Sequence, residues 1–437
     1  MNIPRRIAQT LINSLKGGVV PRVGLPYVTV GRKAEIDALL RDVDIIAEGG
    51  ASFRFISGKY GSGKSFLLQT MRNYVMAKNF VVVDADLSPE RRLQGTRGQG
   101  LATYKELIRN MATKTKPEGG ALGLILDRWI NNVQRETAEE NDLSVTDPGL
   151  EPLVEKKISS VVGELNEMVH GFDFARLLTM YYKAHVDGDD ELKAKVLKWF
   201  RGEYETKTEA RRELGVNIII TDDDWYDYLK LFASFLNRAG YAGMLILIDE
   251  LVNIYKIPHS VTRQYNYEKI LTMYNDAMQG RAKNLGVILC GTPQSMEDPR
   301  RGVYSYEALR SRLAEGRFAG VGKDLMSPVI RLQPLSQEEM LVLVEKLAAI
   351  HAELYGYKRQ LKQRDFADFI EIEFGRIGAD EHITPREVIR DFIEVLDILY
   401  QNPELKIRQI LGSENFQFAK NDVEETATSG EFAEFDV

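Results

Sequence analysis

Residues 58–65, GKYGSGKS, constrain the fold more than any other part of the chain. They match the pattern G-x-x-x-x-G-K-[ST], in which glycines let backbone N–H groups surround phosphates at the N-terminus of a helix. The flanks suit this motif, because residues 53–57 are typical of a short buried strand and residues 66–75 carry the apolar stripe of a helix. The sequence therefore predicts an α/β nucleotide-binding fold.

The residues of this loop have distinct expected roles. We expect the Lys64 side chain to reach the β- and γ-phosphates and the Ser65 hydroxyl to bind Mg²⁺. A glycine-rich turn with a chance lysine is the weaker alternative, because both the match and its flanks are complete. The predicted cofactors are therefore ATP and Mg²⁺. The predicted cofactor-binding residues are Gly58, Lys59, Tyr60, Gly61, Ser62, Gly63, Lys64, Ser65 and Phe66.

A second apolar run ends in two acidic residues. Residues 244–248 are continuously apolar, as in a central parallel strand that is covered on both faces, and Asp249 and Glu250 follow directly. Open α/β sheets bind their ligands at this carboxyl end of the strands. We expect Asp249 to hold the metal and Glu250 to be the general base that orients water. An acidic helix cap is the alternative, but the Asp-Glu pair together with the phosphate loop favours ATP hydrolysis.

A third apolar run, residues 286–290, leads into polar residues that we expect near the γ-phosphate and the attacking water. Thr292 is the first choice for a sensor residue there, and Gln294 is the second. Cys290 lies inside the apolar run, which indicates a buried structural cysteine and not a nucleophile.

The order of phosphate loop, acidic strand and sensor strand resembles the AAA+ branch of P-loop ATPases. Residues 30–36, VGRKAEI, look like the N-terminal box of initiator-type AAA+ proteins. Downstream, Arg310, Arg312 and Arg317 lie where such proteins place an arginine finger, with Arg317 the leading candidate and Arg312 the alternative. A solvated helix face is the other interpretation. Because a finger acts on the γ-phosphate of a neighbouring copy, the resemblance implies a homo-oligomer.

The C-terminal part of the chain resembles the small helical lid of AAA+ modules. Residues 330–334 indicate the closing strand, and Ser336 with Glu339 forms an S-x-x-E capping box at the start of a helix. Arg386 resembles the second sensor of the family, an arginine on the lid that contacts the γ-phosphate. An arginine at a helix start without a ligand is the alternative.

Longer strings narrow the resemblance to the BREX-type ATP-binding protein family. It covers residues 1 to about 411 and is carried by GVVPRVGLPYVTVGRKAEI, DADLSPERR, ATYKELIRNMATKTKPEGGAL and CGTPQSMEDPRRGVYSYEALRSRL, together with the phosphate loop. Members belong to bacterial anti-phage defence clusters, usually beside a large superfamily 2 helicase. The resemblance implies such a helicase or another defence-cluster protein as partner, with DNA as a further candidate.

The 185 positions from Lys64 to Asp249 exceed the one or two βα units of a minimal AAA+ core, which predicts an all-helical insertion. Asp222, Asp223 and Asp224 are expected to cap the helix that returns to the core. The predicted elements are a strand at 81–86 and helices at 101–114, 122–140, 152–169, 172–187, 190–200 and 225–239. Basic residues of the insertion fit a solvated face or a nucleic-acid or partner surface; they are Lys105, Arg109, Lys114, Lys116, Lys193, Lys195, Lys198 and Arg201.

The net charge of −7 argues at first against nucleic-acid binding. Residues 412–437, however, hold seven acidic side chains and one lysine, and their net −6 leaves −1 for residues 1–411. Local basic patches therefore remain candidates for DNA contact. We expect this tail to be disordered, with four phenylalanines that could anchor a partner: Phe416, Phe418, Phe432 and Phe435.

A single cysteine and the lack of a leader pattern or an apolar window of spanning length predict a cytoplasmic protein without membrane contact. The five histidines lack the spacing of zinc ligands. The predicted fold class is α/β: an AAA+ P-loop NTPase core with a parallel sheet, an all-helical insertion and a C-terminal helical lid. The predicted domains are 1–90, a linker and first core part; 91–220, the insertion; 221–335, the second core part; 336–411, the lid; and 412–437, the tail.

Two functions follow from these features. The first is an ATP-hydrolysing AAA+ ATPase of anti-phage defence, slow alone and stimulated by DNA or a partner helicase. The alternative is a nucleotide-gated switch or scaffold that recruits or licenses a defence effector with little turnover.

Overall fold

The computed structural model of the chain describes residues 3–314, 324–375 and 384–412. The strands of these residues form one sheet in the order β2-β3-β4-β1-β5, and all neighbours are parallel. The predicted α/β class with a parallel sheet is confirmed. The strands are β1 (Ala51–Ser57), β2 (Val81–Asp86), β3 (Met244–Asp249), β4 (Leu285–Gly291) and β5 (Val329–Arg331).

Nineteen α-helices lie within the described residues. They are α1 (Arg5–Lys16), α2 (Leu25–Val28), α3 (Lys33–Ala47), α4 (Lys64–Ala77), α5 (Gln99–Arg109), α6 (Leu122–Glu140), α7 (Leu150–Gly163), α8 (Gly171–Asp187), α9 (Asp190–Phe200), α10 (Lys207–Leu214), α11 (Trp225–Arg238), α12 (Val252–Tyr255), α13 (Ser260–Met278), α14 (Pro293–Glu297), α15 (Glu307–Leu313), α16 (Gln337–Tyr355), α17 (Gln363–Phe374), α18 (Pro385–Gln401) and α19 (Ile407–Leu411). Among the described residues, none of these helices is both long and apolar enough to cross a membrane.

Strand β4 and residues 244–248 of β3 are apolar throughout because helices cover both faces of the sheet. Successive side chains of a strand point to opposite faces. Accordingly, Ile246 and Ile248 of β3 join one apolar core, whereas Leu245 and Leu247 join the core on the other face. Every residue of β3 and β4 is buried, which fixes the position of the residues that follow them.

The chain divides into two compact units. The helical unit comprises the described residues of Met1–Gly31, Tyr60–Phe66 and Gln333–Val437, and the sheet unit comprises Arg32–Lys59 and Leu67–Leu332. In the helical unit, α1 packs against α16 and α18. The buried face of α1 consists of Ala8, Leu11, Ile12 and Leu15. The sequence did not predict this association of the N-terminal helix with the C-terminal helices.

Helices between β2 and β3 share the core of the sheet unit. Trp129 of α6 lies 4.9 Å from Phe235 of α11, and Phe174 of α8 lies 5.0 Å from Phe232, measured between ring centroids. These aromatic rings belong to the same apolar cluster as Phe53 and other residues of the strands. The insertion is therefore packed as part of the sheet unit, and the finer five-part domain division remains a prediction.

Several predicted element ends are wrong. The helix predicted at 101–114 ends at Arg109, because Ala112 instead exchanges two backbone hydrogen bonds with Val82 of β2, at 2.8 and 3.0 Å. The helix predicted at 152–169 begins at Leu150 and ends at Gly163, where a 3-10 turn follows. The strand predicted at 330–334 is shorter, Val329–Arg331, and helix α10 was not predicted.

The predicted role of the acidic run 222–224 is also wrong. The Asp224 carboxylate accepts no hydrogen bond from the first turn of α11 and instead accepts from the Thr221 N–H at 2.7 Å. Asp222 accepts from the N–H groups of Gly98 and Leu101, at 2.8 and 2.7 Å. Asp222 therefore caps α5, which lies far away in sequence.

Candidate functional site

The phosphate-loop motif connects β1 to α4. Helix α4 begins at Lys64, two residues before the predicted start, so that Lys64 and Ser65 open its first turn. Gly61 and Gly63 have φ values of 73° and 96°, a left-handed backbone that favours glycine. The Lys64 ammonium lies over the Tyr60 ring, 5.3 Å from its centroid. The loop thus has the irregular backbone that its glycines predict.

The two loop glycines have different surroundings. A Cβ atom at Gly61 would lie 2.5 Å from the Thr384 hydroxyl, whereas a Cβ atom at Gly63 would meet no atom within 4 Å. Thr384 is the N-cap of α18 and forms a capping box with Glu387. The start of α18 therefore lies against the phosphate loop, within the helical unit. Arg386, the predicted second sensor, is exposed in the first turn of this helix.

The acidic pair follows β3. Asp249 is the last residue of the strand and is 7% exposed, and its Oδ1 accepts a hydrogen bond from the Glu250 N–H at 2.8 Å. Glu250 has φ 61°, a conformation that a glutamate adopts at a cost of about 1–3 kcal/mol. Such strained residues cluster at active sites. The backbone thus holds the predicted general base in a conformation that local preference alone would not produce.

A third carboxyl group, which the sequence did not assign, lies at the same edge of the sheet. Asp86 ends β2 and is paired in register with Asp249. Although Asp86 is exposed, neighbouring protein atoms reduce the hydration of its carboxyl group, and this effect together with the negative charges of Asp249 and Glu250 raises the pKa of Asp86 to about 6. The sequence does contain a signal for this residue. Residues 81–86, VVVDAD, are mostly apolar and end in an aspartate, as residues 244–249 do.

The residues after β4 are placed by short contacts. The Gly58 N–H donates to the Gly291 carbonyl at 3.1 Å, so the start of the phosphate loop is tied to the end of β4. A Cβ atom at Gly291 would lie 3.1 Å from Leu251 Cβ, which favours glycine there. Thr292 Oγ1 accepts from the Ser295 N–H at 3.2 Å and caps α14, and Gln294 is exposed on that helix. Cys290 is fully buried inside β4, as expected.

The candidate finger arginines lie on and after α15. Arg310 is exposed, with its guanidinium 3.7 Å from the Glu307 carboxylate. Arg312 is also exposed and donates to the Ala308 carbonyl at 2.7 Å. Arg317 lies outside the described residues, as does His382. Both described arginines are held by their own helix, and the choice of finger stays a prediction.

Four of the eight basic residues singled out in the insertion are neutralised locally. Lys193 lies 3.1 Å from Asp127, Lys195 lies 2.6 Å from Glu191, and Lys198 lies 2.5 Å from Glu209. Arg109 is paired with Glu106 at 2.6 Å. These pairs favour a solvated helix face over a nucleic-acid surface at this place.

The residues present fit a nucleotide with Mg²⁺. Open space above Gly63 leaves its backbone accessible to a phosphate, as a phosphate-binding loop requires. A serine hydroxyl and an aspartate carboxylate, from Ser65 and Asp249, are the oxygen ligands that Mg²⁺ prefers. The donor set therefore suits the group that the motif predicts.

Comparisons with known proteins identify a family. Residues 3–415 match the model of the family described as "BREX system ATP-binding protein BrxC/D". No curated protein matches the sequence. Among solved structures, the chain is similar to that of the Aeropyrum pernix ORC1 protein in complex with DNA, with 12% sequence identity and a TM-score of 0.37. That alignment covers 86% of this chain and 62% of the ORC1 chain.

Proposed function

Because the chain belongs to the BREX system ATP-binding protein family, we propose that it is a Mg²⁺-dependent ATPase of bacterial anti-phage defence. The observation that carries hydrolysis, beyond ATP binding, is the strained Glu250 directly after the buried Asp249. A protein that only stored nucleotide would not require a carboxylate in a costly conformation at this edge of the sheet.

The roles of the side chains follow from their chemistry. The Lys64 ammonium and the N–H groups of the loop would bind phosphate oxygens, and the Ser65 hydroxyl with the Asp249 carboxylate would hold Mg²⁺. Bound Mg²⁺ neutralises charge that develops on the phosphate oxygens. The Glu250 carboxylate would orient a water and accept its proton, and Thr292 or Gln294 would donate a hydrogen bond to that water or to the γ-phosphate.

Oligomer formation and partners extend this proposal. An arginine after α15, Arg317 or else Arg312, would complete the site of a neighbouring copy, and Arg386 would contact the γ-phosphate from the start of α18. The contact between Gly61 and Thr384 supports the second assignment, because it brings that helix start to the loop. DNA and a superfamily 2 helicase are the proposed targets of the assembled ATPase, which would act in the cytoplasm.

Replacement of Lys64 tests nucleotide binding. In Lys64→Ala the ammonium that would neutralise the phosphates is lost, and we expect ATP affinity, measured by calorimetry, to fall at least about 100-fold. Lys156→Ala is the matched control, because it removes an exposed lysine of α7, outside the phosphate loop. Unchanged affinity in Lys64→Ala would overturn the assignment of the site.

A further inference from the structure

A cavity of about 700 Å³ lies in the helical unit, away from the phosphate loop. It is lined by the segment after α16, the last turns of α18 and the residues that lead into α19. Its apolar lining includes the buried Leu396 and Ile407, together with Leu361, Leu399 and Leu405. Ligand cavities of roughly 300–1,000 Å³ with an apolar lining and a few polar groups are typical binding sites.

Basic side chains surround this apolar lining. Six cations line the cavity against one carboxylate, that of Asp365: Lys358, Arg359, Lys362, Arg364, Lys406 and Arg408. The Asp365 carboxylate accepts a hydrogen bond from the Lys362 backbone N–H at 2.8 Å. Arg408 is paired with Asp368 at 2.5 Å. In the described part of the chain, no carboxylate forms an ion pair with Lys358, Arg364 or Lys406, whereas Lys193, Lys195 and Lys198 of the insertion are paired. The cavity is therefore strongly positive.

The aromatic residues of the cavity favour a peptide over a nucleic acid. Tyr400 stacks on Tyr355 with 4.9 Å between ring centroids, and Tyr357 lies 5.3 Å from Tyr400. The rings are thus packed against one another, whereas single-stranded nucleic acids bind through bases that stack on open aromatic faces. The remaining apolar surface is leucine and isoleucine, which suits apolar side chains.

We propose that this cavity binds an acidic, phenylalanine-containing peptide, and that its occupant is the segment of this chain that begins after Gly412. The described structure reaches Gly412 one residue beyond α19, and Ile407 and Arg408 of that helix line the cavity. Phe416 lies four residues farther along, within about 14 Å of extended chain. Residues 412–437 supply seven acidic side chains against one lysine, which complements the cations.

The proposed contacts divide by chemistry. Phe416 and Phe418 fill the leucine-lined space, and the acidic side chains after them pair with Lys358, Arg364 and Lys406. Because the segment is covalently attached, its effective concentration at the cavity is of millimolar order, so that a modest affinity keeps the cavity filled. High salt weakens the charge contribution.

Hydrogen exchange of the full-length protein tests this proposal, without nucleotide and at low ionic strength. In Phe416→Ala/Phe418→Ala we expect amides of residues 357–365 and 403–411 to exchange about tenfold faster than in the unaltered protein. The matched control is Phe432→Ala/Phe435→Ala, which removes the same two side chains from the distal part of the segment and should leave this exchange unchanged. Equal exchange in all three proteins would overturn the proposal.

A reciprocal measurement uses the cavity itself. Lys358→Glu/Lys406→Glu should speed the exchange of amides 413–420 about tenfold, and 0.5 M salt should act in the same direction on the unaltered protein. Lys156→Glu/Lys207→Glu is the matched control, with the same change of net charge at exposed positions of the sheet unit. No difference between the two pairs would contradict an electrostatic contact with the cavity.

Two other results would identify a different occupant of the cavity. Protection that rises with protein concentration would assign the cavity to the segment of a second copy. Protection of residues 357–365 and 403–411 by an added oligonucleotide, equal in the unaltered protein and in Phe416→Ala/Phe418→Ala, would assign it to nucleic acid. Either result overturns docking within one chain, and neither bears on ATP binding at the phosphate loop.

Discussion

Strands β2 and β3 lie side by side, and each leads from apolar residues into an aspartate at the same edge of the sheet. Asp86 and Asp249 are direct neighbours in register, yet the chain leaves the two strands differently. After β3 it enters the left-handed conformation of Glu250, whereas after β2 the Leu87 N–H donates to the Asp249 carbonyl at 3.1 Å. The end of β3 thus places a second carboxylate, that of Glu250, at the edge of the sheet. The residue after β2 instead forms a backbone hydrogen bond to β3.

Asp86 and Asp249 therefore occupy similar positions in the sheet but have different surroundings. Asp249 accepts a hydrogen bond from the Glu250 N–H. Reduced hydration, together with the negative charges of Asp249 and Glu250, raises the pKa of Asp86 to about 6. We therefore expect Asp249 to serve as the metal ligand and Asp86 to adjust the charge of the edge.

Paired replacements of the two aspartates test this difference most directly. Asp249→Asn should lower kcat about 1,000-fold, because the amide is a poor substitute for a carboxylate that holds Mg²⁺. Asp86→Asn should change kcat less than about threefold, since no step is assigned to that carboxyl group. Steady-state ATP hydrolysis of both variants is the measurement, and equal losses would show that the two strand ends act alike.

Two replacements of Glu250 distinguish its proposed role as general base from the strain of its backbone. Glu250→Gln removes the base but keeps a side chain in the left-handed conformation, so kcat should fall about 100-fold with ATP affinity retained. Glu250→Gly should lose activity equally while unfolding at a higher temperature, because glycine tolerates that φ and gains about 1 kcal/mol. A Glu250→Gln protein that still protects cells from phage, although it does not turn over, would favour the nucleotide-gated switch.

A third strand end, that of β4, extends the comparison. Thr292→Val removes the hydroxyl and should lower kcat about tenfold, whereas Thr292→Ser keeps a hydroxyl that can both cap α14 and donate. Thermal unfolding of both variants reports the loss of the cap independently. If Thr292→Val lowers only the unfolding temperature and Gln294→Ala lowers kcat, the sensor is Gln294.

The raised pKa of Asp86 predicts a small dependence of stability on pH. Because the folded state binds this proton more tightly than the unfolded chain, the stabilisation is complete below about pH 4 and is lost as the pH rises through 6. Without nucleotide or Mg²⁺, Asp86→Asn should unfold about 1–3 °C above the unaltered protein at pH 8 and at the same temperature at pH 4. A constant difference at both pH values would show that Asp86 does not titrate in this range.

The sequence was informative wherever a function is encoded locally. Lys64 and Asp249 could be recognised because each follows an apolar strand in a short pattern; the structure places Lys64 in the first turn of α4 and Asp249 at the end of β3. Asp86 could not be recognised from the sequence, because its position beside Asp249 depends on how β2 pairs with β3. Asp222 was misread for the same reason: its run suits a local cap, but its partners are the distant Gly98 and Leu101.

The family resemblance predicted the fold class and the ATP-binding family, and both are confirmed. It did not predict the packing of α1 with α16 and α18 or the basic cavity of the helical unit. Both depend on residues that come together only in the folded chain, such as Lys358 and Lys406.

The packing of α1 has a consequence for synthesis of the chain on the ribosome. Its apolar face has no partner until α16 and α18 emerge, and about 320 residues separate Lys16 from Gln337, which takes roughly 15–65 s to translate. During that time Leu11 and Leu15 are exposed to water, because a helix of 12 residues is only marginally stable alone. Folding of α1 is thus completed late in synthesis, and we expect a bulky fusion next to α1 to disturb the packing of α16 and α18.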